Sequence, residues 1–179
     1  MIILLAAHCL LRPGEGPQIR LSELNLNVRC LSRVLGLVSL LKPKTRNRAA
    51  RVQHVTIENA ELLNHLLHFV TVCDFGPTDF LFPTYRELSM LIRRWLDYLV
   101  GPGHPFTLHG LRGGAATLWY LETGNVSELL RRGRWASEKS LNTYLQLQAG
   151  LSASFQIPPD RLAMIESLAG PWEHLLRPR

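Results

Sequence analysis

The chain has 179 residues and a mass of 20.3 kDa, enough to bury a core without disulfides or metals. With 46% hydrophobic and 19% charged residues it is neither disordered nor fibrous. Its net charge is +6, and 17 of its 20 basic residues are Arg, whose planar fork of donors suits phosphate oxygens, so the implied partner is an anion and nucleic acid first.

The opening stretch, Met1 to Leu11, is apolar. It has no basic leader and runs into Arg-Pro-Gly-Glu rather than a small-residue cleavage site, so it reads as a buried helix and not a signal peptide. It is too short to span a bilayer, and no later run reaches that length without charges, so no membrane partner is expected. Cys9, Cys30 and Cys73 form no CxxC pair, which argues against a zinc site or disulfide framework and suits a reducing, intracellular setting. That setting is a nucleus in a eukaryote, or the cytoplasm and nucleoid in a prokaryote.

A turn region, Pro13 to Pro17, precedes three β-type runs: Val28–Ser32, Leu37–Leu41 and Val52–Ile57. In the third, Val52, His54 and Thr56 alternate with Gln53, Val55 and Ile57. Between the second and third lies a basic hairpin tip with Lys42, Lys44, Arg46, Arg48 and Arg51 and no acid. Leu62, Leu63, Leu66, Leu67 and Val70 make a helical stripe. Thr84 and Glu87 form a capping box ahead of Leu88, Leu91, Ile92, Trp95 and Leu99, with a stop at Gly101-Pro102. A helix is expected from about Gly110 to Glu122, ending at Gly124. Another is capped by Asn125 and Glu128 and stops at Gly133. Ser137 opens a further helix with Leu141, Tyr144 and Leu145 on one side, and Pro158-Pro159 separates a final one, about Asp160 to Leu168. The class is α+β, mostly α: a helical domain with a small three-stranded antiparallel sheet near the N-terminal end.

The informative stretch is Leu108-His109-Gly110-Leu111-Arg112. An HxxR pair alone is weak, since this composition yields roughly 0.7 of them by chance, and a second occurs at His174 and Arg177. The surroundings distinguish the first. Trp135 follows Arg112 by 23 residues and Tyr144 follows Trp135 by 9, while Arg12-Pro13-Gly14-Glu15 and the lysine-bearing hairpin lie upstream. His109 and Arg112 share a helical face.

This ordered set resembles the catalytic domain of the tyrosine recombinases, the phage integrase family, over residues 4 to 147. Leu81-Phe82-Pro83 sits where integrases often carry Phe-Pro before a helix, and Lys44 falls on the hairpin where the family has its lysine. Arg12 and Arg20 both begin an Arg-x-x-Glu. Family members have a second basic position eight residues after the catalytic Arg, which Arg20-Leu21-Ser22-Glu23 resembles, so Arg12 is chosen. Gly113-Gly114 departs from the family's common His-Thr.

The resemblance implies DNA strand cleavage and rejoining in site-specific recombination or integration through a covalent 3′-phosphotyrosyl intermediate, with no metal, cofactor or small-molecule substrate. Tyr144 is then the nucleophile and Arg12 and Arg112 clamp the phosphate. Lys44 protonates the leaving 5′ oxygen, His109 assists proton movement and Trp135 donates a hydrogen bond where many relatives have His. Glu15 orients the basic groups, while Lys42, Arg46, Arg48, Arg51, Arg131 and Arg134 contact DNA. A homo-oligomer on double-stranded DNA is implied. Residues 1–150 are expected to form the catalytic domain without the family's N-terminal clamp domain. In the tail, 151–179, a helix is expected to dock on a neighbouring subunit or on its own core.

Each of these residues taken singly reads as something ordinary: a core Trp or Tyr, a turn Arg, a phosphate-contacting Lys. His65 and His68 lack a third ligand and read as surface residues. It is the shared order and spacing of the motif elements that ordinary roles do not explain. Two other functions fit part of the pattern. One is a truncated, catalytically silent DNA-binding relic of a mobile element, suggested by a chain that begins almost at Arg12. The other is a type IB topoisomerase, disfavoured by small size and the short Trp135-to-Tyr144 spacing.

Overall fold

Helix α1 (Ile2–His8) opens the chain in a computed structural model that describes residues 1–30, 33–43, 51–145 and 157–176. Two 3-10 turns, Gly16–Gln18 and Leu21–Glu23, lead into strands β1 (Leu24–Cys30), β2 (Arg33–Leu40) and β3 (Gln53–Ile57). These form one antiparallel sheet in the order β1-β2-β3, with Val28 opposite Leu35 and Val38 opposite Val55. Helices α2 (Ala60–Val72), α3 (Tyr85–Leu99), α4 (Leu108–Thr123), α5 (Val126–Gly133), α6 (Glu138–Asn142) and α7 (Pro159–Leu176) follow among the described residues. The architecture is α+β and mostly helical, with the sheet near the N-terminus.

The strand starts differ from expectation for local reasons. In β1, Leu24, Leu26 and Val28 are half-buried while Asn25, Asn27 and Arg29 are exposed, a period-2 pattern that begins four residues before the β-branched run at Val28. Pairing to β1 extends β2 back to Arg33, well before Leu37. In β3 the alternation resolves as expected, with Val55 and Ile57 buried and His54 exposed.

Side-chain caps set most helix starts. Asn59 accepts N–H bonds from Glu61 and Leu62, Thr84 from Glu87, and Asn125 from Glu128. Thr107 accepts from Gly110, so α4 starts two residues earlier than expected and His109 lies in its first turn. The apolar stripes are narrower than their sequence suggests. Leu62, Leu63 and Leu66 are buried but Leu67 is exposed; Leu88 and Ile92 are buried but Leu91 and Trp95 are exposed. Helix α7 runs to Leu176, beyond the expected Leu168, and continues through Gly170 and Pro171. It lies against α1 and α3 of its own chain, where the Arg161 guanidinium donates to the Tyr98 carbonyl at 2.5 Å.

Three apolar clusters hold these elements. The first joins the sheet to α1 and α2 through Leu5, Cys9, Val38, Val55, Ile57, Leu62 and Leu66. The second joins α4, α5 and α6 through Ala116, Trp119, Leu129 and Leu141, and takes in Leu10. The third packs Leu88 and Ile92 of α3 on Leu108 of α4.

Leu10 is the joint between the first two clusters. Its φ is +48°, and the Leu10 and Leu11 N–H groups bond back to the Ala7 and Ala6 carbonyls at 3.2 and 2.9 Å. This is a Schellman closure of α1, whose left-handed position is usually Gly. A side chain there costs about 1–2 kcal/mol. Burying leucine returns about 1.5–3 kcal/mol, and Leu10 is 1% exposed, so the strained turn is retained. The turn aims the Leu10 carbonyl at α4 and α5.

Candidate functional site

Arg12 leaves this turn. Its Nη1 donates to Glu15 Oε1 at 2.9 Å, and its backbone N–H donates to Glu15 Oε2 at 2.8 Å. Glu15 is buried, and from the other side Arg134 Nη2 donates to the same Oε2 at 2.8 Å. Burial by itself raises the Glu15 carboxyl, but Arg134 and the Arg12 donors outweigh it and hold the group below its ordinary value of 4.5. Its ionised form therefore stabilises the fold above about pH 4.5, and that contribution is lost as pH falls through the lower folded value. Glu15→Gln is expected to lower stability at neutral pH and to flatten the acid limb of a melting-temperature-versus-pH curve. Acid limbs of identical shape in the two proteins would contradict the ion pairing.

Arg112 rises from α4 and is 2% exposed. Its Nη1 donates to the Leu10 carbonyl, and its Nη2 donates to the Gly133 carbonyl at 2.5 Å. Trp135 lies over the guanidinium at 4.4 Å, a contact worth about 0.5–2 kcal/mol. Burial lowers the guanidinium pKa to about 10, with Arg134 and Arg12 acting in the same direction and Glu15 and Tyr144 opposing. At neutral pH it stays charged.

The Trp135 position depends on its neighbour. A Cβ on Gly133 would lie 1.6 Å from the indole ring, so only glycine fits there. Arg134 between them has φ +57° and ψ +41° and closes α5 as Leu10 closes α1, with the Trp135 N–H on the Leu130 carbonyl at 3.0 Å. Among the described residues three non-glycine residues have positive φ, and two of them, Leu10 and Arg134, belong to this site. Strain gathered at one locus is a mark of a functional site.

Tyr144 follows α6, its N–H on the Leu141 carbonyl at 2.7 Å. Its ring centroid is 5.3 Å from Trp135, 6.3 Å from the exposed His109 ring and 5.4 Å from the Arg112 guanidinium. A Cβ on Gly113 would meet the Tyr144 carbonyl at 3.1 Å, so glycine at this point of α4 lets the tyrosine segment come close.

Arg12, Glu15, His109, Arg112, Trp135 and Tyr144 are thus brought together from the α1 exit, α4 and the α5–α6 region. Three guanidiniums, Arg12, Arg112 and Arg134, face one carboxylate, Glu15, which leaves two positive charges over among these four groups. Arg112 Nε, Arg134 Nε and Nη1, and Trp135 Nε1 are buried donors without a hydrogen-bond partner among the described residues. Surplus positive charge and unpartnered donors thus lie together beside the Tyr144 ring.

The other expected residues divide. Lys44, Arg46 and Arg48 lie outside the described residues. Lys42 is exposed and lines a cleft of about 440 Å³ that Glu15 also lines, so the root of the hairpin borders the site. Arg51 is exposed before β3, and Arg131 is 69% exposed beside Glu128 at 3.6 Å. Arg134, read from sequence as a DNA contact, points inward with 10% of its side chain exposed. Arg20, the rejected alternative to Arg12, stacks over Phe80 at 4.2 Å and donates to the Thr78 carbonyl.

Two supporting residues carry no sequence signal. Leu10 supplies a carbonyl from a position where glycine is usual. Arg132 looks like Arg131 in sequence, yet it forks onto the His8 carbonyl at 3.1 Å, His8 Nε2 at 2.8 Å and Glu58 at 3.1 Å. His8 Nε2 also accepts the Glu58 N–H at 3.3 Å, which places the ring proton on Nδ1. This network ties α5 to α1 behind the site.

A helical domain with a small N-terminal antiparallel sheet is the fold shared with solved tyrosine recombinases. The chain superposes on the XerH site-specific recombinase bound to palindromic difH substrate in a post-cleavage complex, with TM-score 0.60 and 16% identity over 96% of this chain and 45% of that one. It matches the XerH pre-cleavage complex with difH at TM-score 0.61 and 16% identity, over 86% of this chain and 44% of that one. It matches XerA recombinase at TM-score 0.60 and 17% identity, over 92% of this chain and 55% of that one. The chain spans about half the length of these structures, and at such identities the likeness is one of fold. No protein-family model and no curated protein matches the sequence. Among the described residues no helix is long and apolar enough to cross a membrane.

Proposed function

We propose that this chain is the catalytic domain of a tyrosine recombinase that breaks and rejoins double-stranded DNA through a 3′-phosphotyrosyl intermediate. The observation that carries this is the convergence of Arg12, Arg112 and Tyr144, far apart in sequence, on one buried, positively charged locus. Tyr144 Oη attacks phosphorus as the bond to the 5′ oxygen breaks, and Lys44 gives that oxygen its proton. Arg12 and Arg112 stabilise the charge that builds on the non-bridging oxygens. His109 takes the Tyr144 proton, Trp135 supplies one N–H and Glu15 orients Arg12. Lys42, Arg46, Arg48, Arg51 and Arg131 hold the flanking backbone. Attack by a free 5′ hydroxyl then reverses the step without ATP. Residues 1–150 carry this chemistry, with 151–179 as a tail, and the protein works as a homo-oligomer on DNA.

The test is a pool of random-sequence duplexes, each nicked so that cleavage releases a strand too short to rejoin. An adduct that survives SDS and maps to Tyr144 is the expected product. Folded protein that binds DNA and yields no adduct would overturn the proposal in favour of a silent DNA-binding protein.

Two neighbouring glycines provide a finer check. Alanine raises helix propensity by about 1 kcal/mol at either position. Gly114→Ala places its methyl in open space and is expected to raise Tm by about 2–4 °C with adduct yield unchanged. Gly113→Ala pushes on the Tyr144 carbonyl and is expected to slow adduct formation roughly tenfold or more. Equal cleavage by the two variants contradicts the placement of Tyr144 against α4.

A further inference from the structure

Arg134 has no part in the chemistry just described, yet its conformation and contacts are costly for an idle residue. Its φ of +57° suits glycine, which would close α5 without steric conflict. Its side chain is nine-tenths buried, whereas that of Arg131 is 69% exposed.

Its contacts lead to both clamp arginines. Nη2 donates to Glu15 Oε2 at 2.8 Å and to the Leu10 carbonyl at 3.3 Å. The first acceptor is the carboxylate that holds Arg12, and the second is the carbonyl that holds Arg112. Two arginines from separate parts of the chain are therefore referenced to one guanidinium. Its Nε and Nη1 remain buried without a partner among the described residues.

We infer that Arg134 is the positioning residue that sets Arg12 and Arg112 at the spacing required by the two non-bridging oxygens of a phosphodiester, acting through Glu15 and the Leu10 carbonyl. This rests on the recombinase function proposed above. The guanidinium matters because the two hydrogens of Nη2 are fixed in its plane and go to a carboxylate and a carbonyl, whereas the ammonium of Lys turns freely on a flexible stem and fixes neither direction. Arg134 also shares the Glu15 charge. Without it Glu15 would close on Arg12 alone and weaken the pull of Arg12 on phosphate.

The experiment measures single-turnover adduct formation by the full chain and by Arg134→Gly, Arg134→Lys and Glu15→Gln. Glycine retains the left-handed turn, so it removes the side chain with least harm to the backbone. Substrates carry a normal phosphate or either phosphorothioate diastereomer, in which sulfur replaces one or the other non-bridging oxygen. Arg134→Gly is expected to slow the normal substrate roughly 100-fold and to shift the ratio of the two diastereomer rates at least about threefold. Arg134→Lys should recover only part of the rate, and Glu15→Gln should shift the same ratio. The salt slope of duplex binding should stay unchanged, whereas Arg131→Ala reduces it by about one.

A folded Arg134→Gly protein with wild-type rate, or with the wild-type diastereomer ratio and a uniform loss, overturns the inference while leaving the recombinase function standing. If Arg134→Gly does not fold, the diastereomer ratios of Arg134→Lys and Glu15→Gln decide, and wild-type ratios in both overturn it. No adduct from the wild-type chain removes the recombinase function and this inference together.

Discussion

Tyr144→Phe is expected to abolish the SDS-stable protein–DNA adduct, a loss of at least about 10⁴-fold, because the hydroxyl is the attacking atom and no intermediate forms without it. The substitution keeps the ring, and with it the contacts to Trp135 at 5.3 Å and His109 at 6.3 Å. Stability should therefore change by no more than about 1 kcal/mol, and duplex affinity should stay within about twofold of wild type. Gel electrophoresis of labelled nicked duplex under denaturing conditions reads the adduct directly. The other tyrosines, Tyr85, Tyr98 and Tyr120, are carried on α3 and α4. Persistence of the adduct in Tyr144→Phe would assign the nucleophile to another residue and overturn the mechanism.

Arg112→Lys should be damaging twice over. The guanidinium spans the Leu10 and Gly133 carbonyls and lies 4.4 Å from the Trp135 ring centroid. A single ammonium cannot reproduce both bonds and the stack. One buried carbonyl is left unpaired, at about 1–3 kcal/mol, and the stacking loss adds about 0.5–2 kcal/mol. A urea titration should show a total destabilisation of about 2–5 kcal/mol. Adduct formation should fall by about 10³-fold or more, since removing even one such donor costs about 10²–10³. Arg131→Ala is the contrast: the residue is exposed and its ion pair with Glu128 is 3.6 Å long, so a change within about 0.5 kcal/mol is expected. Equal stability losses in the two variants would contradict the buried setting of Arg112.

Local chemistry was readable at several points where a side chain acts on its own backbone, although the Thr107 cap of α4 was missed. The Thr84–Glu87 box, the Asn125 cap and the Ser137 cap sit where the sequence put them, because capping involves residues two or three apart. The sheet was readable in number and sense, but the start of β1 was not, since the leucine–asparagine alternation from Leu24 lacks β-branched residues. The stripes on α2 and α3 were read too wide because an apolar residue is buried only if another element covers it. Nothing among the described residues covers Leu67 or Trp95 well enough to bury it.

The sequence by itself determined the chemical types, their order and their spacing, and that was enough to suggest a two-arginine, one-tyrosine centre. It also determined where most helices begin. Which basic residue faces what was decided by tertiary structure alone. Arg131, Arg132 and Arg134 are nearly adjacent and chemically identical. Yet the first is exposed, the second is locked to His8 and Glu58, and the third turns inward to Glu15. Helical phase rotates successive side chains by about 100°, and the left-handed turn at Arg134 redirects the last of them. Three equal charges therefore enter three environments, set by distant residues that no local pattern names.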